Sequence, residues 1–193
     1  MSKLVYGFGD GKAEGRGAMK ELLGGKGANL AEMVNIGLPV PPGFTITTEV
    51  CSWFFQHGNQ YPPELGKQVD AALGLMSKRV GKGFGDPSNP LLVSVRSGAP
   101  ASMPGMMDTI LNLGLNDATA AGLVKLTGDE RFVMDAYRRL LTMYGDVVLG
   151  IERHKFEHEL DATKKRLGVK VDTEVPASAL RDLVATYKAI VLR

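Results

Sequence analysis

Residues 23–30, with the sequence LGGKGANL, decide how the first part of this chain folds. Glycines just before a helix let backbone N–H groups approach an anion, and the helix dipole favours negative charge at that end. Lys26 adds an ammonium group at the same place. The stretch is not a P-loop, because Lys20 stands where that motif needs a glycine and Gly27 where it needs Ser or Thr. On spacing alone, an anion-binding loop and a plain glycine-rich loop with an exposed lysine both stay open.

The flanking residues predict a mixture of short strands and helices. Alternating or β-branched runs predict strands over 4–8, 44–47 and 91–95. The glycine-rich stretch should open a helix near Gly27 that ends at Gly37. Its apolar face is predicted from the residues Leu30, Met33 and Val34.

Two more helices are predicted before residue 90. One begins near Thr48 and is expected to bury Trp53 and Phe54, with Cys51 as a small buried hydrophobe. The other begins at 63–64 and ends at 81–83, where glycines follow an apolar stripe. That stripe consists of Leu65, Val69, Leu73, Met76 and Val80.

Composition changes near residue 115. Residues 1–115 hold 19 of the 24 glycines and 9 of the 10 prolines. Because both residue types disfavour helix interiors, residues 1–115 should be loop-rich and mixed, and residues 116–193 helical. Asn116 is placed to cap the first of these helices and Gly168 to end the third. The predicted apolar stripes are Phe132, Val133, Ala136, Leu140, Met143 and Val147, then Phe156, Leu160 and Leu167, then Leu180, Leu183, Val184, Tyr187, Ile190 and Val191.

Bulk properties exclude several classes of protein. The 193 residues are 44% hydrophobic and 23% charged, as expected of a soluble globular protein, and the formal net charge of +2 points to neither nucleic acid nor an anionic membrane as a partner. No apolar run approaches the ~18 residues of a membrane span, and no signal peptide is evident. A cytoplasmic location is expected. The last apolar stripe still runs at Arg193, which predicts that the chain is part of a longer protein.

Two further segments combine glycine with polar groups. Arg96 follows the predicted strand 91–95, where its guanidinium could present forked donors to a phosphate; a surface salt bridge is the alternative. In 102–109, SMPGMMDT, Gly105 would allow a ligand to approach the backbone, with Asp108 and Thr109 as polar partners; a turn whose methionines fill the core is the alternative. Together with Lys26, these segments suit a polyphosphate.

A histidine pair in the second part has a different interpretation. His154 and His158 match an H-x-x-E-H zinc-peptidase pattern and share a helical face. The surrounding residues are charged, so a solvated surface helix is favoured over zinc. No metal ligand is predicted within the chain.

Three stretches resemble the pyruvate, phosphate dikinase family: 24–33 (GGKGANLAEM), 37–47 (GLPVPPGFTIT) and 94–116 (SVRSGAPASMPGMMDTILNLGLN). The resemblance implies an α+β fold: the N-terminal mixed lobe of an ATP-grasp domain at 1–115, followed by an inserted helical subdomain at 116–193. The ATP-grasp fold would be incomplete. Lys26 and Arg96 would bind ATP phosphates, and the loop Gly105, Met106 and Met107 would close over them.

The family also implies partners that this chain lacks. Enzymes of this kind interconvert ATP, phosphate and pyruvate with AMP, pyrophosphate and phosphoenolpyruvate. They use Mg²⁺, a phosphohistidine domain and a pyruvate-binding domain, and the full-length enzyme is expected to be a homo-oligomer. The metal ligands would lie outside this chain, which should be inactive alone. Pro100 stands where the family usually has an arginine. A pyruvate, water dikinase-like phosphotransferase and a helical interaction module with a degenerate nucleotide site stay open as alternatives.

Overall fold

The computed structural model describes residues 2–98 and 108–192, which fold as two compact units. The first unit holds residues 2–81 with 97–98, and the second holds 82–96 with 108–192. The units do not separate at the composition break, because two strands that precede residue 115 belong with the helices of the second unit. The assignment of 1–115 and 116–193 to two subdomains stays a prediction. The described chain is a mixed α+β structure of seven α-helices and two small sheets.

The first unit contains a three-stranded antiparallel sheet in the order β2-β1-β3. The strands are β1 (Val5–Gly9), β2 (Lys12–Ala13) and β3 (Gly43–Ile46), each within one residue of the prediction where one was made. Asp10 and Gly11 join β1 to β2 with φ angles of 57° and 71°. Positive φ at both central residues matches the strand twist in a two-residue hairpin, for which Asp-Gly is a favoured sequence.

Helix α1 (Lys20–Asn35) begins seven residues before the predicted start. Gly24 interrupts it with φ 68° and ψ 165°, so that one turn precedes the glycine and the main helix follows it. The predicted apolar face is wrong in part: Met33 is exposed and Leu30 is only half-buried. Small residues instead form the buried face, because they let the helix approach its neighbours closely. The buried residues are Leu23, Gly24, Gly27, Ala28, Ala31 and Val34.

Helices α2 (Thr48–Gln56) and α3 (Leu65–Val80) complete the first unit. The predicted burial of Trp53 is wrong: its ring is exposed and stacks on His57 with centroids 3.7 Å apart. Phe54 is half-buried, and Cys51 is exposed rather than buried. Apolar residues that are consecutive in a helix point in different directions, so they cannot all be buried against one neighbour. In α2 the buried residue is Val50. Gly81 ends α3 in the left-handed conformation, as predicted.

The second unit opens with a two-stranded antiparallel sheet, β4 (Val93–Arg96) and β5 (Thr109–Leu113). The pairing shifts between Val93 and Val95, where β5 contains one residue more than β4. Asn112 adopts φ 61° within this irregularity. A β-bulge of this kind changes the alternation of side chains, and it lets Ile110 and Leu113, three residues apart, contact the same helical core.

Four helices form the rest of the second unit: α4 (Asp117–Thr127), α5 (Glu130–Val147), α6 (His154–Leu167) and α7 (Ala177–Val191). Asn116 caps α4, accepting a hydrogen bond from the Thr119 amide at 2.9 Å, and Gly168 ends α6 with φ 70°; both were predicted. The stripe of α5 is buried in its middle, whereas Phe132 and Val147 near its ends are exposed. Among the described residues, no helix is long and apolar enough to cross a membrane.

A buried arginine ties the helices of the second unit together. Arg138 on α5 is 7% exposed and donates to Asp135 at 2.6 Å and 3.0 Å. It also reaches Asp172, 3.3 Å away, in a 3₁₀ turn (Asp172–Glu174) between α6 and α7. Asp172 in turn accepts from Lys164 of α6 at 3.1 Å. Burial raises the pKa of Asp172, but the bond from Lys164 and the nearby guanidinium groups outweigh burial, so the pKa lies below its ordinary value.

Candidate functional site

Lys26 lies just after the interruption of α1. Because Gly24 leaves the helical conformation, the helix that contains Lys26 has its own N-terminus two residues earlier. The first N–H groups of a helix have no carbonyl partner within it, and they carry the positive end of the dipole. The Lys26 side chain is half-buried, and its Nζ donates to the carbonyl oxygen of Ser97 at 2.8 Å. The ammonium group and the helix N-terminus therefore offer positive charge in one region of the first unit.

Gly27 shows why glycine is needed beside that lysine. A Cβ atom added there would lie 2.6 Å from Cγ2 and 2.8 Å from Oγ1 of Thr45 on β3. Both distances are far shorter than van der Waals contact, so no side chain fits without a shift of the helix or the strand. Gly27 thus brings the start of the helix close to the sheet and sets the position of Lys26.

Arg96 and Thr109 lie in the second unit, and the structure brings them together. They are Cα partners at the end of the β4–β5 ladder, with Arg96 as the last residue of β4 and Thr109 as the first of β5; the strand was predicted at 91–95, with Arg96 just after it. Arg96 is exposed, and within the described residues its guanidinium has no ion pair or hydrogen bond. Thr109 is half-buried, and Asp108 beside it is exposed.

The other predicted site residues lie outside the described residues. Gly105, Met106 and Met107 belong to this group, as does Pro100. Their roles stay predictions. Lys26 and Arg96 belong to different units, so their joint contact with one ligand is also a prediction. Sequence reasoning missed the partner of Lys26: Ser97 contributes a backbone carbonyl 71 positions away, and no side-chain pattern announces such a group.

The histidine pair of α6 is part of an exposed surface. His154 and His158 are both exposed, and His158 contacts Glu159 at 3.7 Å. Arg153 and Glu157 form an i,i+4 ion pair on the same helix. In residues 2–98 and 108–192, no cluster of three or more His, Cys, Asp or Glu side chains has the arrangement of a metal site.

Comparison with known proteins assigns part of this region to a family. The sequence profile described as "Pyruvate phosphate dikinase, AMP/ATP-binding domain" matches residues 20–60, which include α1, β3 and α2. The chain is 54% identical over 190 residues to a chloroplastic pyruvate, phosphate dikinase of Mesembryanthemum crystallinum. The aligned region covers 98% of this chain and 20% of that protein.

Similar values hold for two other relatives. Pyruvate, phosphate dikinase 2 of Zea mays is 54% identical over 189 residues, covering 98% of this chain and 21% of the relative. The pyruvate, phosphate dikinase of Rhizobium meliloti (strain 1021) is 52% identical over 188 residues, covering 97% of this chain and 21% of the relative. The chain thus spans about one fifth of the length of the curated relatives that it matches.

Proposed function

Because the chain belongs to the pyruvate, phosphate dikinase family, we propose that it binds ATP through the phosphate groups of the nucleotide. The observation that carries the proposal is the position of Lys26, directly after the Gly24 interruption, with its Nζ 2.8 Å from the carbonyl oxygen of Ser97. Ser97 begins the segment that leads to the predicted loop Gly105–Met107. Lys26 therefore connects the helix N-terminus to the segment that would cover the phosphates.

Lys26 can hold a phosphate without releasing Ser97. An ammonium group has three N–H donors, and the bond to the Ser97 carbonyl uses one. The remaining donors can serve a phosphate oxygen, and such charge-assisted bonds are about twice as strong as neutral ones. Lys26 would then fix the phosphate relative to the backbone at Ser97.

Arg96 would supply the second cation of the site. Its guanidinium has donors with no partner in the described part of the chain, and a planar fork of donors suits the oxygens of one phosphate. Thr109, paired with Arg96 in the ladder, would offer a hydroxyl, and Asp108 a carboxylate. The loop Gly105, Met106 and Met107 would close over the nucleotide.

The remaining steps of catalysis would belong to a longer protein. We propose that such a protein interconverts ATP, phosphate and pyruvate with AMP, pyrophosphate and phosphoenolpyruvate, as a cytoplasmic homo-oligomer. This segment would be the first part of an ATP-grasp domain, and it would work with phosphohistidine and pyruvate-binding domains beyond it. Mg²⁺, bound mainly by groups outside this segment, would neutralise phosphate charge. The 193-residue chain alone would bind nucleotide without turnover.

Calorimetric titration of the chain with ATP, with and without Mg²⁺, tests the proposal. We expect saturable binding that Lys26→Met weakens by roughly ten- to a hundredfold, because a charge-assisted bond contributes about 1.5–3 kcal/mol. Lys20→Met is the matched control, since Lys20 is an exposed lysine at the start of the same helix. Equal affinities for the two variants would remove Lys26 from the site, and no binding by the wild-type chain would contradict the proposal.

A further inference from the structure

A groove of about 620 Å³ is formed by helices α4, α5 and α7 of the second unit, and its lining includes none of the residues predicted to bind nucleotide. Its lining is mostly apolar, and a tyrosine is the largest of the apolar side chains. The apolar lining residues are Ala120, Ala121, Val124, Met134, Tyr137, Val184 and Ala185. A volume of this size lies within the range of ~300–1,000 Å³ that is typical of small-molecule sites, which are mostly apolar with few polar groups.

Two ion pairs border the groove, and both are formed by α7. Lys188 bonds to Asp117 of α4, and Arg181 bonds to Glu130 of α5. Tyr137 belongs to the first pair: its hydroxyl donates to Asp117 at 3.3 Å, and Lys188 Nζ lies 5.0 Å from its ring centroid. Each pair neutralises its own charge, so neither attracts a charged ligand strongly.

Lys125 is the remaining charged residue of the lining. It lies in the last turn of α4 and is exposed, and its ammonium group has no ion pair or hydrogen bond with any part of the chain that the structure describes. The lining thus carries three cations and two carboxylates, and the excess positive charge belongs to Lys125. An anion that contacts Lys125 would not have to break an existing pair.

We propose that this groove binds an amphipathic monoanion, with its apolar body on the apolar lining and a carboxylate or sulfonate group against Lys125. Burial of the apolar body supplies most of the binding free energy. Lys125 adds a preference for the anion over a neutral molecule of the same shape. None of the residues proposed to bind nucleotide takes part in this site.

A pair of fluorescent probes with the same apolar body tests the proposal. The anion 8-anilinonaphthalene-1-sulfonate and the neutral N-phenyl-1-naphthylamine differ in the sulfonate group. We expect the 193-residue chain to bind both at a single site and to favour the anion. Lys125→Gln should weaken binding of the anion by about threefold, the size of an exposed ion pair, and leave binding of the neutral probe unchanged.

Matched variants distinguish probe binding in the groove from probe binding elsewhere on the surface. Lys165→Gln controls for charge, because Lys165 is an exposed lysine in the last turn of α6. Ala185→Trp should fill the groove and weaken the binding of both probes by on the order of tenfold. Ala189→Trp controls for the added ring, because Ala189 is exposed on the same helix and does not line the groove. Near-ultraviolet circular dichroism and Tm should match the wild type in all four, since each position is exposed.

Three results would overturn the proposal. Equal probe affinity in Ala185→Trp and Ala189→Trp would place the probes elsewhere. If Lys125→Gln and Lys165→Gln weaken binding of the anionic probe equally, the groove has no anion preference of its own. A dimer in sedimentation that Ala185→Trp converts to monomer, with no probe bound by the wild type, would make a second copy of the chain the occupant.

Discussion

Gly27 of α1 and Thr45 of β3 are packed so closely that a single added methyl group at position 27 would lie 2.6 Å from the threonine side chain. This relationship positions the helix that contains Lys26 against the sheet. Gly27 therefore contributes to packing whether or not a ligand is bound nearby. Stability measurements report on the packing, and titrations with ATP report on ligand binding.

We expect Gly27→Ala to destabilise the chain by about 1–3 kcal/mol, because an extra methyl in a packed contact forces a backbone or rotamer shift. Gly74→Ala is the control: Gly74 lies inside α3 with no atom within 4 Å of its added Cβ, so alanine should stabilise that helix by up to about 1 kcal/mol. Urea denaturation measures both.

Thr45→Ala should rescue Gly27→Ala, because it removes the Cγ2 and Oγ1 atoms that the new methyl group would meet. In a double-mutant cycle we expect a coupling free energy on the order of 1 kcal/mol in favour of the double variant. Additive effects would mean that the cost of Gly27→Ala arises elsewhere.

Arg96→Gln should weaken ATP binding by about five- to thirtyfold, since a guanidinium–phosphate contact exceeds a neutral hydrogen bond by on the order of 1–2 kcal/mol. Arg166→Gln is the comparison, because Arg166 is an exposed arginine in the last turn of α6. Calorimetric titration gives both affinities. If the two variants bind ATP alike, Arg96 takes no part in the site.

Arg138→Met should destabilise the chain by about 3–5 kcal/mol, because it leaves the mostly buried carboxylate of Asp135 without its main partner. Arg139 provides a close comparison: it bonds to the same Asp135 at 2.9 Å but is 57% exposed. Arg139→Met should cost less than about 1 kcal/mol. Chemical denaturation measures the free energy of unfolding of both variants. Similar losses of stability would contradict the expectation that the buried arginine contributes more than the exposed one.

The carboxylate of Glu14 predicts a pH dependence of stability. Burial raises the pKa of Glu14, but the bond from Lys3 at 2.6 Å and the bond from the Gly7 amide at 2.5 Å outweigh burial, so the pKa lies below its ordinary value of 4.5. Such a group stabilises the fold above pH 4.5, and the contribution is lost as the pH falls through the lowered pKa.

Wild type should therefore be more stable than Glu14→Gln at pH 7, by less than about 1 kcal/mol because the pair is half exposed. The difference should shrink below about pH 4.5. Thermal unfolding of both proteins from pH 7 to pH 3 measures it. A difference that stays constant over this range would rule out titration of Glu14 as the cause.

Single residues in the sequence predicted three helix ends correctly, whereas the predicted start of α1 was seven residues too late. Asn116 has a side-chain acceptor for a helix N-terminus, and Gly81 and Gly168 can adopt the left-handed conformation that ends a helix, so these boundaries depend on single residues. Burial was predicted less well. Met33 and Trp53 are apolar but exposed, because burial depends on what packs opposite a side chain, which periodicity alone does not reveal.

The candidate site was predictable only as a set of residue types. Lys26 and Arg96 could be selected because charge beside glycine or at a strand end has a known use. The bond from Lys26 to the Ser97 carbonyl could not be predicted, because any residue offers a backbone carbonyl. The pairing of Arg96 with Thr109 depends on the register of β4 and β5, which includes a bulge that no residue pattern marks.

The two units described above are interleaved along the chain. Residues 82–96 leave the first unit for the second, the chain returns at Ser97, and it enters the second unit again at Asp108. A gene fragment that ends at residue 115 would therefore keep β4 and β5 but lose the helical core on which Ile110 packs. In chimeras with the relatives, 82–96 and 108–192 should be exchanged together, because neither segment carries a complete folding unit by itself.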